Sequence, residues 1–362
     1  MSAGAPRVAV ADLLQVTREL FTALGVPPEA AAEVAEALVR ADQEGQPSHG
    51  VMMAELYARR LLGGSATTRT QGEVVSDREA TAVIDAGHAL GQLTARQAVD
   101  LACDKAARFG VGIVAVRNAN HFGTASRYAE RATERGMVGI VMCNTRPLMP
   151  APGGGRRLVG NNPIAIAIPT SSGEPLSFDM ATSQAAMGKI RLAAAAGERI
   201  PPDWATDERG VATTDPQEAI RGMLLPAAGP KGFGLALMID LLSGLLSGGG
   251  WGDTVTPLFG DMSVPYNCSQ LFIAIDPGSF VEPASFAEQA QRAADRVRAS
   301  PRADPADSTP GRAPGDARRL MREANRETVP VARPVLRNLV SIAKQHGVSL
   351  QHLEPLLATS PT

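Results

Sequence analysis

Three short apolar runs, separated by helical or loop stretches, constrain the fold of this chain more than any other feature. They occupy residues 110–116, 136–143 and 164–168, and glycine or proline lies at their ends. Apolar runs of this length with turn residues around them predict buried strands. Helical patterns at 93–109 and 125–135 precede and follow the first run. The alternation of strand and helix predicts an α/β (α+β) fold in which helices flank a sheet.

The two ends of the chain differ from this middle. The first 72 residues carry amphipathic helical patterns, and similar patterns return on either side of a linker at 300–316 that is rich in Pro, Ala, Asp and Ser. A chain of 362 residues exceeds one ordinary core. We therefore predict two domains: residues 1–72 and 284–362 form a helical domain, and residues 73–283 form a sheet domain.

The composition limits the kinds of partner. The chain has 35 basic and 37 acidic residues and a net charge of -2, so neither nucleic acid nor an anionic membrane is an expected partner. Its 3 cysteines are widely spaced and fit neither a disulfide framework nor a zinc site, and we predict no metal site. Signal-peptide and membrane-span patterns are absent from the sequence. These features predict a cytoplasmic protein whose partner is a small molecule or another copy of the chain.

Two histidines lie in similar stretches and are candidates for catalysis. His121 follows the run at 110–116 and precedes Gly123, a position that projects a side chain into a crevice at a strand end. An imidazole there can move a proton in either direction near neutral pH; the alternative is that its ring caps a helix. His49, in Ser48-His49-Gly50, opens a helical segment, where a structural role is the alternative.

Two further charged residues also have two interpretations each. Asp179 leads into a predicted helix at 184–196, so it is either an N-cap or a carboxylate that orients a histidine. Lys231 precedes a predicted helix at 235–246, where an anion such as a dinucleotide pyrophosphate would bind; the alternative is a surface lysine. No G-x-G-x-x-G follows a first strand, so the Rossmann fingerprint is absent.

Longer motifs carry a resemblance to a known family. They are GVGIVAVRNANHFG at 110–123, PLMPAPGGGRRLVGNNPIAIAIP at 147–169, DMATS at 179–183 and KGFGL at 231–235, with further matching segments at 200–204 and 207–216. From about residue 8 to residue 350 the chain resembles the malate/L-lactate dehydrogenase family of the second type. That family includes ureidoglycolate, sulfolactate and diketogulonate dehydrogenases and Δ1-piperideine-2-carboxylate reductases.

The resemblance implies an oxidoreductase that uses NAD or NADP. It implies a non-Rossmann mixed sheet for the cofactor and a helical domain made from both chain ends. It also implies a homodimer whose active site lies between the domains, near the subunit interface. The reaction would be hydride transfer between the nicotinamide and the carbon of a C=O or C=N group, with the cofactor supplying the hard chemistry.

The resemblance assigns individual residues as well. His121, His49 and Asp179 take catalytic positions, and Ser48 and Tyr57 take positions that contact the substrate. The positions implied for cofactor contact are Asn120, Thr145, Asp179, Met180, Ala181, Lys231, Gly315 and Asp316. Asp316 stands where the family's Pro-Gly-Glu turn has a glutamate, and it keeps the charge.

One departure from the family pattern concerns the substrate. The family places an arginine three residues after the glycine of Ser-His-Gly, where a guanidinium can hold a carboxylate bidentately, but this chain has Met53 there. We therefore assign Met53 to the substrate site and expect an unusual 2-oxo or 2-hydroxy acid or biosynthetic intermediate, unless Arg60 or another arginine takes over. Two alternatives stay open: a cyclic ketimine reductase, and a catalytically silent ligand-binding or scaffold protein of the same fold.

Overall fold

The computed structural model describes residues 5–301, 303–304, 309–350 and 353–358, so parts of the predicted 300–316 linker and both chain termini lie outside the described residues. The strands are β1 (Arg7–Ala9), β2 (Glu73–Arg78), β3 (Thr81–Asp85), β4 (Val111–Ala119), β5 (Val138–Cys143), β6 (Met149–Pro150), β7 (Arg157–Val159), β8 (Ile164–Ile168), β9 (Leu176–Met180), β10 (Ala205–Thr206), β11 (Met223–Leu224), β12 (Cys268–Ile275) and β13 (Thr328–Pro330). The α-helices are α1 (Val10–Ala23), α2 (Pro28–Gln43), α3 (Ala54–Leu62), α4 (Gly91–Phe109), α5 (Ala125–Thr133), α6 (Met187–Ala196), α7 (Pro216–Arg221), α8 (Pro230–Ser247), α9 (Pro283–Arg298), α10 (Asp316–Ala324), α11 (Arg333–Gln345) and α12 (Glu354–Ala358).

The central sheet of the described chain has seven strands in the order β2-β3-β4-β12-β5-β8-β9. β3 and β4 are parallel, whereas the other neighbouring pairs are antiparallel. Consequently β3, β4, β5 and β9 run in one direction and end at one edge of the sheet, and β8 and β12 begin at that edge. The mixed sheet confirms the predicted fold class and differs from the parallel sheet of a Rossmann domain.

Alternation of side chains along the strands gives the sheet two apolar faces. In β4, Val114 and Val116 belong to the core shared with α4 and α5, while Ala115 belongs to the core on the side of α8. Gly112 allows α4 to approach closely, because a Cβ there would overlap the backbone carbonyl oxygen of Ala102. The sheet is therefore the middle of three layers.

Elements from both ends of the chain share one apolar core and are called the helical domain below, while the bounds 1–72 and 284–362 stay a prediction. β1 pairs with β13, with Val8 opposite Val329. One apolar core combines residues of α1, α2 and α3 with residues of α11. Leu90 and Leu93, at the start of α4, belong to the same core and join the helical domain to the sheet domain.

The helix predicted at 235–246 is longer in the structure and forms α8 at 230–247. It packs against β12 and β4, and its buried Asp240 accepts hydrogen bonds from the Asn144 side chain and the Gly252 N–H. Among the described residues it is the one helix long and apolar enough to cross a membrane, with 39% of that window buried. Core helices of soluble proteins pass the same test.

Candidate active site

One edge of the sheet gathers the candidate functional groups. His121 follows β4, Thr145 follows β5, and Asp179 and Met180 end β9. The segment after β4 crosses this edge, since the N–H of Ser126 at the start of α5 donates to Asp179 Oδ2 at 3.0 Å. The crossing brings the histidine loop and the end of β9 together.

His121 is held by the helical domain. The hydroxyl of Tyr57 in α3 lies 2.6 Å from His121 Nδ1, and Gln92 Nε2 in α4 donates to that hydroxyl at 3.1 Å. Tyr57 is 2% exposed and Gln92 is fully buried. The structure thus places the hydroxyl of Tyr57 on His121, and the predicted contact of Tyr57 with the substrate stays a prediction.

We assign the tautomer of His121 from these two hydrogen bonds. Because the Tyr57 hydroxyl accepts from Gln92, its own hydrogen is directed at His121 Nδ1, and the hydrogen of the neutral ring is assigned to Nε2 from this network. Burial lowers the pKa of His121 to about 3, with a smaller effect from His49 in the same direction. His121 is therefore an uncharged hydrogen-bond donor at neutral pH.

His49 lies against His121, with the ring centroids 5.5 Å apart and the ring planes inclined by 25°. Its Nδ1 is 2.9 Å from Ser48 Oγ, which leaves Nε2 for a ligand. Burial lowers the pKa of His49, and the charge of Asp179 opposes that effect. Because the His49 residue is partly exposed, it can exchange a proton with water.

Asp179 caps a helix, but a different one from the helix predicted. It caps α5 through Ser126, whereas α6, the next helix along the chain, begins at Met187 without a side-chain cap. A carboxylate is favourable at a helix N-terminus because it interacts with free N–H groups and the helix dipole. Asp179 therefore fixes the loop that carries His121 and also acts electrostatically on His49.

Asn120, the residue before His121, is locked in place by its amide. Its Nδ2 donates to the carbonyl oxygens of His88 and Ala89 at 2.8 and 3.1 Å, and its own carbonyl oxygen accepts from Gln270 at 2.9 Å. Asn120 Oδ1 is buried and has no partner among the described residues. This oxygen is free to accept a hydrogen bond from a ligand.

The predicted cofactor segments are connected by a chain of hydrogen bonds. Thr145 Oγ1 donates to Asn161 Oδ1 at 3.0 Å, and the carbonyl oxygen of Asn161 accepts from the Thr182 N–H at 3.1 Å. The carbonyl oxygen of Thr182 accepts from the Ala227 N–H at 2.9 Å. Thr145 and the stretch containing Met180 and Ala181 therefore lie beside the segment that leads into α8.

Lys231 is the second residue of α8 and is exposed, and no contact in the described part of the chain engages its ammonium group. Gly232 packs so closely that a Cβ there would overlap the carbonyl oxygen of Ala227. The free N–H groups at the start of α8, an 18-residue helix, therefore lie close to Thr182. The buried Oγ1 of Thr182 has no partner in the described chain.

The turn at Gly315 packs against Ser177 of β9, two residues before Asp179. Gly315 has a φ of 98°, and a Cβ there would press on Ser177 at 3.2 Å. Both carboxylate oxygens of Asp316 accept from Arg298, at 2.9 and 2.8 Å, and this hydrogen bonding lowers the pKa of Asp316. The structure gives Asp316 an ion pair, and cofactor contact at Gly315 and Asp316 stays a prediction.

Neither Met53, which replaces the family arginine, nor Arg60, which was suggested in its place, is available to bind a carboxylate of the substrate. Met53 is 2% exposed and belongs to the core of the helical domain, so its packing does not support the predicted substrate contact. Arg60 is 1% exposed and donates to the carbonyl oxygens of Pro257, Leu258 and Val264. The suggestion that Arg60 replaces the family arginine is wrong, because its guanidinium already holds this loop.

Asp42, which the sequence did not indicate, supports the His49 turn. Near the end of α2, its carboxylate accepts the Val51 N–H at 2.8 Å. A Cβ on Gly50 would overlap that carboxylate, so the close approach requires glycine. Burial raises the pKa of Asp42 to about 7, although the hydrogen bond from Val51 opposes the shift. Neither Asp42 nor Gln92 stands out from an ordinary helical pattern.

The fold and these groups define a class of protein. Two adjacent histidines and a helix N-terminus at one edge of a mixed sheet suit acid–base chemistry on a small anionic ligand. Over the described ranges, no group of three His, Cys, Asp or Glu side chains could hold a metal ion. The arrangement is that of an enzyme site that acts through side chains and a bound organic group.

Comparison with known proteins gives the family. Residues 8–340 match the family model for malate/L-lactate dehydrogenase. An L-sulfolactate dehydrogenase of Methanothermobacter thermautotrophicus is 35% identical over 350 residues, which cover 95% of this chain and 98% of that protein. The chain belongs to the malate/L-lactate dehydrogenase family, as its motifs predicted, and is an NAD(P)-dependent dehydrogenase/reductase.

Solved structures confirm the fold. Sulfolactate dehydrogenase from Methanocaldococcus jannaschii matches with a TM-score of 0.89 and 34% identity, covering 96% of this chain and 99% of that one. Δ1-Piperideine-2-carboxylate reductase from Pseudomonas syringae matches with a TM-score of 0.82 and 29% identity, covering 93% and 99%. Both a hydroxy acid dehydrogenase and an imine reductase therefore share this fold.

The residues present fit a nicotinamide cofactor. Relatives are named a ureidoglycolate dehydrogenase (NAD(+)) in Escherichia coli and a (2R)-3-sulfolactate dehydrogenase (NADP(+)) in Chromohalobacter salexigens. In this chain, Asn120 Oδ1 and Thr182 Oγ1 are buried polar atoms without partners among the described residues. The N-terminus of α8 and Lys231 can meet phosphate groups, so both amide-type and anionic parts of the cofactor have partners here.

Proposed function

We propose that this protein transfers a hydride between NAD(P) and the C=O or C=N carbon of a small organic acid, with His49 and His121 handling the proton. The stacked rings of His49 and His121 are the main support for the proposal. Each Nδ1 is already engaged, by Ser48 or by Tyr57, and each Nε2 is left for the substrate. The cofactor supplies or accepts the hydride at its nicotinamide.

The two histidines have different roles in this proposal. During reduction, the substrate's oxygen or nitrogen gains negative charge, and the Nε2–H of His121 donates to that atom without ionising. His49, which is partly exposed and influenced by Asp179, gives the proton and regains one from water. During oxidation, neutral His49 accepts the proton of the substrate's hydroxyl or amine.

The substrate we propose is a small 2-hydroxy or 2-oxo acid. Relatives carry the names of sulfolactate, malate and ureidoglycolate dehydrogenases, and these names describe hydroxy acids. Met53 in place of the family arginine favours an unusual acid of this class. NAD(P)H consumption with pyruvate, oxaloacetate and sulfopyruvate tests the proposal, and we expect at least sulfopyruvate or a related acid to be reduced. Cofactor binding without turnover of any acid, in either direction, would contradict it.

The structural match to Δ1-piperideine-2-carboxylate reductase favours one alternative, a cyclic imine reductase. Protonation of the ring nitrogen would then replace protonation of an oxygen. Assaying Δ1-piperideine-2-carboxylate beside the oxo acids separates the two: a kcat/KM at least tenfold above that of every oxo acid selects the imine reductase. Membership of a family of enzymes weighs against the silent scaffold alternative.

We also propose a homodimer, formed through the outer face of α8. Apolar side chains on this face are 39–56% exposed and recur at helical spacing: Leu235, Met238, Leu242, Leu245 and Leu246. An exposed apolar stripe of this kind is typical of an interface between two copies. Light scattering after chromatography should give twice the 37.7 kDa chain mass, and Leu242→Arg should lower it to one chain. A monomeric wild-type protein would contradict the proposal.

We propose a cytoplasmic location and no nucleic-acid or membrane partner. The 3 cysteines are free and buried, which suits a reducing compartment. Fractionation of cells that express the full chain should place it with the cytoplasmic markers, and recovery in the membrane fraction would contradict this proposal.

A further inference from the structure

A substrate with an acidic group needs a cation at the site, and neither Met53 nor Arg60 supplies one. Met53 is uncharged, and the guanidinium of Arg60 is used by three backbone carbonyls. Another cation follows β5 at the sheet edge that carries His121. Arg146 stands there, directly after Thr145.

The strand register places the backbone of Arg146 at the same sheet edge as that of His121. Gln270 of β12 pairs with Val116 of β4 on one side and with Cys143 of β5 on the other, so these residues are level in the sheet. Both flanking strands then continue to the same edge, towards His121 and Arg146. β4 and β5 are two strand spacings apart, about 10 Å, with only the start of β12 between them.

Arg146 is half-buried, and within the described ranges its guanidinium makes neither a hydrogen bond nor an ion pair; its backbone carbonyl oxygen accepts from Thr145 Oγ1 at 3.5 Å. The charged neighbours that act on it are Arg157 and Arg191, which together with burial lower its pKa, and the phenol of Tyr266, which raises it. No carboxylate of the described residues is among them. A half-buried guanidinium among other cations is costly without an anion.

Other partly buried arginines of this protein are paired. Arg127 faces Glu33 at 3.7 Å, and Arg318 faces Glu130 at 3.1 Å. Arg157, whose charge lowers the pKa of Arg146, donates to the carbonyl oxygens of Arg221 and Gly222 and is fixed by them. Arg146 therefore differs in having all of its donors available to a ligand.

We propose that Arg146 binds the acidic group of the substrate, a carboxylate or sulfonate, and so takes over the role of the arginine that Met53 replaces. A planar guanidinium can donate two parallel hydrogen bonds to such an oxyanion, and Arg157 adds positive potential behind it. The proposal rests on the proposed function for the identity of the anion. A phosphate of the cofactor is the other source of the same chemistry.

The experiment uses Arg146→Gln and Arg146→Lys in the full-length protein. Arg156→Gln is the matched control, since Arg156 is an exposed arginine just before β7. Oxalate, an unreactive dianion with the carboxylate and oxygen arrangement of a 2-oxo acid, is titrated against the protein loaded with NADH or NADPH. The binding of each cofactor alone is measured by its fluorescence, and thermal unfolding confirms that the variants are folded.

We expect Arg146→Gln to weaken oxalate binding about 10- to 100-fold, with cofactor affinity within about twofold of wild type, as loss of a charge-assisted contact predicts. Arg146→Lys should recover part of the loss, and Arg156→Gln should change neither affinity. Weaker cofactor binding with unchanged oxalate binding would assign the anion to a cofactor phosphate and overturn the proposal. Unchanged affinities for both, or no oxalate binding by the wild type, would also overturn it.

Failure of the proposed function has a different signature. A wild-type protein that binds cofactor and oxalate but reduces none of the acids or imines contradicts the hydride-transfer proposal, while the effect of Arg146 on oxalate stays measurable. If turnover is found, Arg146→Gln should raise KM for the acid more than it lowers kcat.

Discussion

His49 and His121 occupy similar short motifs, but their surroundings differ. His121 is bound by the hydroxyl of Tyr57, which in turn accepts from Gln92, and burial lowers the pKa of His121 to about 3. His49 lies on a partly exposed turn, is held by Ser48, and has the charge of Asp179 acting on it. Two histidines whose ring centroids are 5.5 Å apart can therefore have different roles: one is a fixed hydrogen-bond donor, and the other exchanges a proton with water.

The largest effect should follow removal of the proton exchanger. His49→Ala should lower kcat about 10²- to 10⁴-fold, the usual contribution of general acid–base catalysis. In wild type, reductive kcat should fall as pH rises past the lowered pKa of His49, and the variant should lack that decline. His346→Ala is the control and should keep full activity, since the ring of His346 hydrogen-bonds to the Ile342 carbonyl oxygen at the end of α11.

Removal of the fixed donor should cost slightly less. His121→Ala should lower kcat about 10²- to 10³-fold, as loss of one preorganised donor at a developing negative charge does. Unlike His49→Ala, it should keep the alkaline decline of reductive kcat, because His49 still titrates. Single-turnover rates as a function of pH measure both quantities. A lost decline in this variant would reverse the two roles.

Removing the Tyr57 hydroxyl tests whether it sets the tautomer of His121 or only stabilises the fold. Tyr57→Phe should lower kcat about tenfold, roughly 1.4 kcal/mol, with little change in KM, because His121 Nδ1 loses its donor. Tyr128→Phe is the matched control, since its buried hydroxyl donates to the Phe122 carbonyl oxygen and does not contact His121. Both variants should lose similar stability on denaturant titration. Equal kcat in the two would remove the assigned role of Tyr57.

The smallest effect on turnover concerns Asp42 beneath the His49 turn, where the change expected is one in stability. Burial raises its pKa from 3.8 to about 7, so the folded state favours the protonated carboxyl. The unfolding free energy should therefore fall as pH rises from about 4 to about 7, by at most about 1.4 kcal/mol per pH unit. Asp42→Asn keeps an acceptor for Val51 and should lack this decrease. His121 contributes with the opposite sign, so the test is the difference between wild type and variant across this window. A difference in unfolding free energy between wild type and Asp42→Asn that does not change with pH would contradict the raised pKa of Asp42.

Local pattern explains what the sequence could predict. Strands β4, β5 and β8 and the place of His121 at a strand end follow from apolar runs and the turns that bound them, whereas β9 was not predicted. The long motifs gave the family, because they span segments with distinct spacing rather than one short signature.

Contacts between distant residues explain what the sequence could not predict. Tyr57 and His121 are 64 residues apart and meet only when the helical domain packs on the sheet. Asp179 looked like the cap of the helix after it, but its partner, Ser126, lies 53 residues earlier in the chain. Arg60 looked available because its sequence context does not show the carbonyl oxygens of the 257–264 loop that it binds.

The most direct test of this division of roles is the protonation state of each ring in the folded protein. Nitrogen-15 NMR of histidine-labelled wild type and of the His49→Ala and His121→Ala variants assigns the two rings between pH 5 and 8. We predict that His121 keeps a protonated Nε2 and a bare Nδ1 throughout, and that any titration in the pair belongs to His49. A proton on His121 Nδ1, or titration of His121 within this range, would contradict the account.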